Sequence, residues 1–255
     1  MSQRIILYDI TGSIPGKAWS PNTWNTRYTL NYKQIPFEVI WVDYPDIEAV
    51  CKRIGAKPTA TKPDGRDHYT FPVIVDPSTE AVVSDSFNIA LYLDATYPKT
   101  PRVIPQGAEM LQAAFFHGFV LNQLTMPTFA PLIVAEWDHL AGRGRTWFRE
   151  TREAAYGELE EVAGLKDRVK RERLWRAAEK GWESLAEWWV LQGDGPFAMG
   201  DILSFADIAI AGLMTWILTI CGEDSSDWKR VESWSGGRWK GLLQQFERYQ
   251  SDGRA

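Results

Sequence analysis

Ser20 stands directly before Pro21 in the run Trp19-Ser20-Pro21-Asn22-Thr23-Trp24, the first stretch of the chain whose residue types could do chemistry. Serine is a favoured helix N-cap and proline a favoured first helical residue, so the pairing predicts a helix that opens at Pro21. The first N–H groups of such a helix have no partner inside it, and the helix dipole adds partial positive charge at the same end. An anion is favoured there. A thiolate is one such anion, and a hydroxyl donating to its sulfur would favour ionisation further. Ser20, Asn22, Thr23 or a backbone amide could supply that bond. Taken alone, Ser20 is also explained as a plain helix cap.

A second signal is Tyr69-Thr70-Phe71-Pro72-Val73-Ile74-Val75. Proline at the mouth of a strand cannot donate to the ladder. A cis Phe71-Pro72 bond would turn the N–H and C=O of Phe71 outward, where they could bridge to an extended peptide; the residue types leave either isomer open. A third is Val83-Ser84-Asp85-Ser86-Phe87, where a strand gives way to a helix. The Ser86 hydroxyl and the first amides of that helix suit a carboxylate, and Asp85 suits an ammonium. Together they fit the α-amino-acid head of a γ-glutamyl group; in isolation they also read as an Asp/Ser cap. Ser204 and Asp207 have capping-box spacing, flanked by Leu203 and Ile208 as a hydrophobic staple, and are structural.

The elements that must hold these residues alternate through position 97. Strands are predicted over 4–10, 37–43, 72–75 and 81–83, and helices over 21–33, 46–54 and 86–97. The turn-rich run Thr11-Gly12-Ser13-Ile14-Pro15-Gly16 and a Lys/Pro/Gly/Thr loop over 55–70 separate them. The order is β-α-β-α-β-β-α. Residues 98–107 hold three prolines without periodicity and read as a linker. Beyond it only helical spacing remains, over 108–124, 127–140, 146–163, 167–192, 205–221 and 237–250. The segment 143–180, dense in charge of both signs, reads as a solvated helix pair with one buried stripe. Two domains are expected, 1–97 (α/β) and 108–255 (all-α), in line with a length of 255 residues.

Composition narrows the function classes. Hydrophobic residues at 45% and charged residues at 24% describe a globular chain. A net charge of −5 argues against nucleic acid or an anionic membrane as partner. Cys51 and Cys221 form no CxxC pair, and His68, His117 and His139 are scattered, so no disulfide framework and no metal centre are expected. The opening residues carry too short an apolar run for a signal peptide, and no stretch looks apolar enough for a membrane span, which makes the cytosol the expected compartment. Thirteen tryptophans call for broad interhelical packing or an aromatic-lined cavity.

The strand–Ser20-Pro21–helix, the Phe71-Pro72-Val73 corner, the Asp85-Ser86 helix start and the Ser204…Asp207 box, in this order and near this spacing, resemble the glutathione transferase superfamily. Within it, Ser-Pro-Asn-Thr-Trp followed by Arg27-Tyr28-Thr29-Leu30-Asn31-Tyr32-Lys33 and Tyr44-Pro45-Asp46-Ile47 is similar to the fungal etherase-related class called FuA. The resemblance implies a thioredoxin-like N-terminal domain, an all-helical C-terminal domain, a homodimer and glutathione as co-substrate. It implies Ser20 as the residue that stabilises the thiolate, with Asn22 and Thr23 as substitutes. Phe71 with Pro72 would form the backbone bridge, and Asp85 with Ser86 the γ-glutamyl grip. The superfamily's usual residues are Glu at the place of Asp85 and Val or similar at Phe71. With no cysteine over 11–24, the reductive, cysteine-dependent branch is disfavoured. In the loop before Phe71, Lys57 and Lys62 are candidates for the glycyl carboxylate and His68 for a contact with glutathione. Phe115, Phe116, Phe119, Asn122, Met126 and Phe129 are candidates for a pocket taking hydrophobic aromatic acceptors. Conjugation to electrophilic or aryl-ether compounds is the leading activity; a ligandin that binds polyphenols with little turnover, or a silent interaction module, are the competing ones.

Overall fold

The computed structural model describes residues 4–14, 16 and 18–250; Pro15 of the predicted turn and the outermost residues of both predicted domains lie outside that set. Strand β1 (Ile5–Ile10) lies at the centre of the first domain. It pairs in parallel with β2 (Phe37–Val42) and antiparallel with β5 (Val73–Asp76), which pairs antiparallel with β6 (Ala81–Ser84). The sheet order is β2-β1-β5-β6. Covered on both faces, β1 is a nearly continuous apolar run, with Ile5, Leu7, Tyr8 and Ile10 buried. Helices α1 (Pro21–Tyr32) and α3 (Ser86–Thr96) bury Leu30, Ile89 and Leu93 against Ile5, Leu7, Phe37 and Ile74 on one face. Helix α2 (Ile47–Ile54) packs Ile47, Val50 and Cys51 into the other core. This is the mixed, thioredoxin-like arrangement expected. Inside the predicted 55–70 loop a small ribbon forms from β3 (Ala60–Thr61) and β4 (Asp67–His68). Strands of two residues carry too little periodicity to be read from sequence.

The proline-rich segment is fastened at both ends. Buried Lys33 holds Asp94 at 2.6 Å and the Pro101 carbonyl at 2.9 Å, and the Asp94 carboxylate accepts the N–H groups of Val103 and Ile104. From the other side, the Phe205 N–H donates to the Val103 carbonyl at 2.7 Å. The linker is thereby part of the packed structure.

The second domain opens on one continuous helix from Glu109 to Asp138. It comprises α4 (Glu109–Ala113), a π-helical stretch (Ala114–Thr125) and α5 (Met126–Asp138). Two helices were expected here. This helix is also long and apolar enough, by length and composition, to cross a bilayer, which corrects the expectation that no stretch is. In this fold it packs against α8 (Arg168–Trp189) and α9 (Phe205–Cys221). The predicted 146–163 helix is α6 (Gly142–Tyr156) and α7 (Leu159–Val162), broken where Gly157 takes a φ of 94°. Helices α10 (Ser226–Glu232), unread in the sequence, and α11 (Trp234–Gln244) close the bundle. Trp182 of α8 and Trp239 of α11 pack with ring centres 5.5 Å apart, so much of the tryptophan content is interhelical packing. Asp207 accepts the Ser204 N–H at 2.8 Å and the Ala198 N–H at 2.6 Å, so the predicted box forms and also pins the preceding loop.

The two domains meet where α9 crosses α1. At Gly212 a Cβ would lie 2.2 Å from Asn25 Oδ1 and 2.9 Å from the Pro21 carbonyl, so only glycine permits this approach. The crossing fixes the start of α1, and with it Ser20, against the helical domain.

Candidate functional site

Ser20 occupies the N-cap position of α1 with extended backbone, φ −65° and ψ 131°, and Pro21 is the first helical residue. Its hydroxyl does not cap: no helix N–H takes it as acceptor. Although only 5% exposed, Ser20 borders a cavity of about 630 Å³ at the junction of the domains. That size suits a small organic ligand. Among the described residues its hydroxyl makes no hydrogen bond, and it lies beside a helix start whose own dipole favours negative charge.

Phe71 borders the same cavity, and the Phe71–Pro72 peptide is cis. Among the described residues neither the N–H nor the C=O of Phe71 takes a backbone partner, while the Pro72 carbonyl accepts the Asp85 N–H at 3.2 Å. That bond continues the β5–β6 ladder, in which Val73 faces Ser84, and sets Asp85 and buried Ser86 beside the Phe71–Pro72 corner. Asp85 caps α3: its Oδ1 accepts the N–H groups of Phe87 and Asn88, both at 3.0 Å. It does so with φ at 78°, a left-handed conformation that Asp tolerates better than most residues. Its Oδ2 is not used by the cap. Neither Asp85 nor Ser86 borders the cavity itself; the Asp85 N–H bond to the Pro72 carbonyl links them to the corner that does, at Phe71.

The other predicted residues divide. Asn22, Lys62 and His68 border the cavity. Lys62 arrives with a partner, its Nζ donating to Glu48 Oε2 at 3.1 Å. Hydrogen bonds from Lys52 and Lys62 hold the Glu48 carboxyl down at about 2. Partial burial, then the charges of Lys62 and Arg152, lower the His68 imidazole below its usual range. Thr23 is turned away from the cavity: it is fully buried and donates to the Ser20 carbonyl at 3.1 Å. Phe119 and Asn122 are elsewhere. Phe119 packs on Trp188 of α8 at 4.6 Å, and exposed Asn122 donates to the His117 carbonyl five residues back, at 2.7 Å. Of the predicted stripe only Phe129 reaches the cavity. The reason is the π-helical register of 114–125: hydrogen bonds reaching back five residues rotate the stripe away from the face that 3.6-residue spacing predicts.

The far wall came from residues the sequence reading had not singled out for it. Tyr44, between β2 and α2, stacks on Trp147 of α6 with ring centres 5.2 Å apart and planes at 17°. Close packing at Gly144, whose N–H donates to Asp43 at 3.2 Å, brings α6 to this turn. Arg152, one turn on, places its guanidinium 4.8 Å from the Phe148 ring centre and 5.6 Å from that of Trp147. Glu136 of α5 is only 6% exposed yet borders the cavity, and its Oε2 accepts the Trp216 indole N–H at 3.2 Å. Burial pushes its carboxyl up to about 7, against smaller downward pulls from Arg152 and Trp216. Burial likewise raises the Tyr44 phenol, which keeps its proton at neutral pH. The predicted solvated helix pair over 143–180 is thus a cavity wall at its N-terminal end. The dense Trp147…Arg152 pattern was the available signal.

The cavity therefore joins a hydroxyl at a helix start and the Phe71 backbone, both without a hydrogen-bond partner among the described residues, on one side to aromatic rings and polar groups on the other. Known proteins match along the whole chain. The glutathione S-transferase N-terminal domain family matches residues 19–96, and the glutathione S-transferase C-terminal domain family matches 111–249. The crystal structure of glutathione transferase GSTFuA3 from Phanerochaete chrysosporium superposes with a TM-score of 0.92 at 44% identity, over 98% of this chain and 99% of that one. A glutathione S-transferase of Ceriporiopsis subvermispora, CsGST63524, solved in complex with glutathione, gives 0.93 at 45% identity over 99% and 100%. A glutathione S-transferase-like protein of Aspergillus flavus, ustS, is 29% identical over 92% of this chain and 87% of its own length. With both family domains present and close neighbours among fungal transferases, this chain belongs to the glutathione S-transferase family.

Proposed function

We propose that the protein binds glutathione along the Ser20–Phe71–Asp85 corner, ionises its thiol at the start of α1, and transfers the thiolate to electrophilic or aryl-ether aromatic compounds held in the cavity. The observation that carries this reading is the uncapped Ser20 hydroxyl at a cavity that Phe71 also borders with an unpaired backbone. The Phe71 N–H and C=O would pair with the cysteinyl unit. The Asp85 Oδ2, which makes no hydrogen bond among the described residues, and the start of α3 would take the γ-glutamyl head. The solution of CsGST63524 with glutathione supports the co-substrate.

The energetics suffice. Lowering a thiol from ~8.5 to ~6.5 requires about 2.7 kcal/mol. A helix start supplies up to ~2 kcal/mol in a partly buried geometry, and a charge-assisted hydrogen bond ~1.5–3 kcal/mol. A Ser20→Ala variant is expected to keep its affinity for glutathione while the bound thiol titrates about one to two units higher, seen as lost thiolate absorbance at neutral pH. An unchanged titration removes Ser20 from the role.

The aromatic walls formed by Tyr44, Trp147 and Phe129 also favour a second reading, in which the protein sequesters planar phenolics with little turnover. Turnover of a phenacyl-type ether, measured beside phenolic binding, separates the two. In either reading the protein acts in the cytosol as a homodimer, an assembly that sedimentation would test.

A further inference from the structure

The acceptor end of the cavity contains two polar groups that its aromatic walls do not explain. Glu136 commits one carboxyl oxygen to Trp216; its Oε1 makes no hydrogen bond among the described residues. Glu136 is 6% exposed and borders the cavity, and this oxygen stays open to it rather than sealed in the packed core. Arg152 is equally distinct. Arg143, Arg145 and Arg149 on the same helix hold Asp46, Asp138 and Glu160 respectively, whereas Arg152 holds no carboxylate among the described residues. Its Nη1 donates to Thr151 Oγ1 at 3.1 Å, the guanidinium also meets the Tyr44 phenol, and it lies over the Phe148 and Trp147 rings. Both residues border the cavity, as do Tyr44 and Trp147, whose near-parallel stack offers a flat wall.

We propose that Glu136 and Arg152 form the polar end of the acceptor subsite and select planar aromatic acceptors that carry a carbonyl oxygen. A guanidinium only donates hydrogen bonds, and a protonated carboxyl donates one more. Two donors bordering one cavity suit an oxygen with two lone pairs, and the aromatic rings of Tyr44 and Trp147 beside them suit the ring attached to it. The raised Glu136 carboxyl keeps its proton up to near neutral pH, which supplies the second donor. The groups facing it are Arg152 from α6, Tyr44 from the turn after β2 and the Trp216 indole from α9; Glu48, Lys62, Arg66 and His68 also border the cavity. Above pH ~7 the ionised carboxylate would instead repel a carbonyl oxygen. The proposal rests on reading this cavity as the acceptor site of the transferase.

The test compares binding of 2-acetylnaphthalene with 2-ethylnaphthalene, matched in shape but not in the carbonyl, by tryptophan quenching of the full chain with and without glutathione. Wild type is expected to favour the ketone about tenfold at pH 6 and to lose that preference as pH rises through about 7. Glu136→Gln keeps a donor that cannot ionise, so it should hold the preference at every pH. Arg152→Met should abolish it at every pH. Glutathione affinity, measured in parallel by calorimetry, should be unchanged in both variants. Equal binding of ketone and hydrocarbon by wild type overturns the proposal, and so does a pH profile that neither substitution alters. Loss of glutathione affinity in either variant would move that residue to the glutathione subsite and overturn it as well. Absent glutathione binding in wild type, with the ketone preference intact, would defeat the transferase reading instead.

Discussion

The Tyr28 and Thr215 hydroxyls lie 2.6 Å apart across the domain junction, one on α1 and the other on α9. Thr215 also donates to the Ala211 carbonyl at 2.8 Å, so the proton between the two hydroxyls belongs to Tyr28. Burial pushes the Tyr28 phenol up to about 12, which keeps that proton in place. The bond ties the helix that carries Ser20 to the core of the second domain.

Tyr28→Phe therefore leaves the Thr215 oxygen with one partner fewer in a buried site. The expected loss is about 1–2 kcal/mol of unfolding free energy, read from urea denaturation. A variant as stable as wild type would show that the bond contributes nothing net.

Gly212→Ala should be worse for function than for folding. Its Cβ meets Asn25 Oδ1 and the Pro21 carbonyl, so α1 must shift at the end that carries Ser20. Overpacking of this kind costs roughly 1–3 kcal/mol, and KM for glutathione should rise with it. Adding Asn25→Ala removes the closer of the two contacts and should recover part of both losses. No recovery in the double variant would place the damage elsewhere.

Asp85 has two separable duties, and Asn distinguishes them. Asp85→Asn keeps an oxygen for the Phe87 and Asn88 N–H groups, so stability should change little while glutathione affinity falls with the lost charge. Asp85→Ala should also lose the cap, about 1 kcal/mol. Equal glutathione affinity in wild type and Asp85→Asn would contradict a contact with the γ-glutamyl ammonium.

Glu136 makes stability depend on pH with a definite sign. Its carboxyl moves from 4.5 to about 7 on folding, so the folded state holds the proton more tightly than the unfolded chain. The group's contribution is fully present below 4.5 and is lost as pH rises through 7. Glu136→Gln lacks that loss. Measured by denaturant at pH 4 and pH 8, the variant should gain up to about 3 kcal/mol on wild type across the interval. A constant difference between the two proteins would show that Glu136 ionises normally.

Much of the site was legible because its signals are local. Proline at a helix's first position, an Asp at a helix start and Ser204 three residues before Asp207 act on backbone groups only a few residues away. Adjacent residues suffice to specify them, and Ser20, Phe71 and Asp85 fall where the sequence put them. Even so, sequence assigned Ser20 the cap that its side chain does not make, because a hydroxyl's choice of partner depends on its rotamer.

The amino-acid sequence by itself determined the alternation of elements, the helical second half, the helix starts after Ser20 and Asp85 and the position of the Phe71–Pro72 corner. Only the tertiary structure decided the opposite wall. Tyr44, Glu136, Trp147, Arg152 and Trp216 come from four separate segments, and what gathers them is the approach allowed at Gly144 and Gly212 and the π-helical rotation that removes Phe119 and Asn122. Those are properties of helix faces meeting in space, set by side-chain packing between residues up to 172 positions apart.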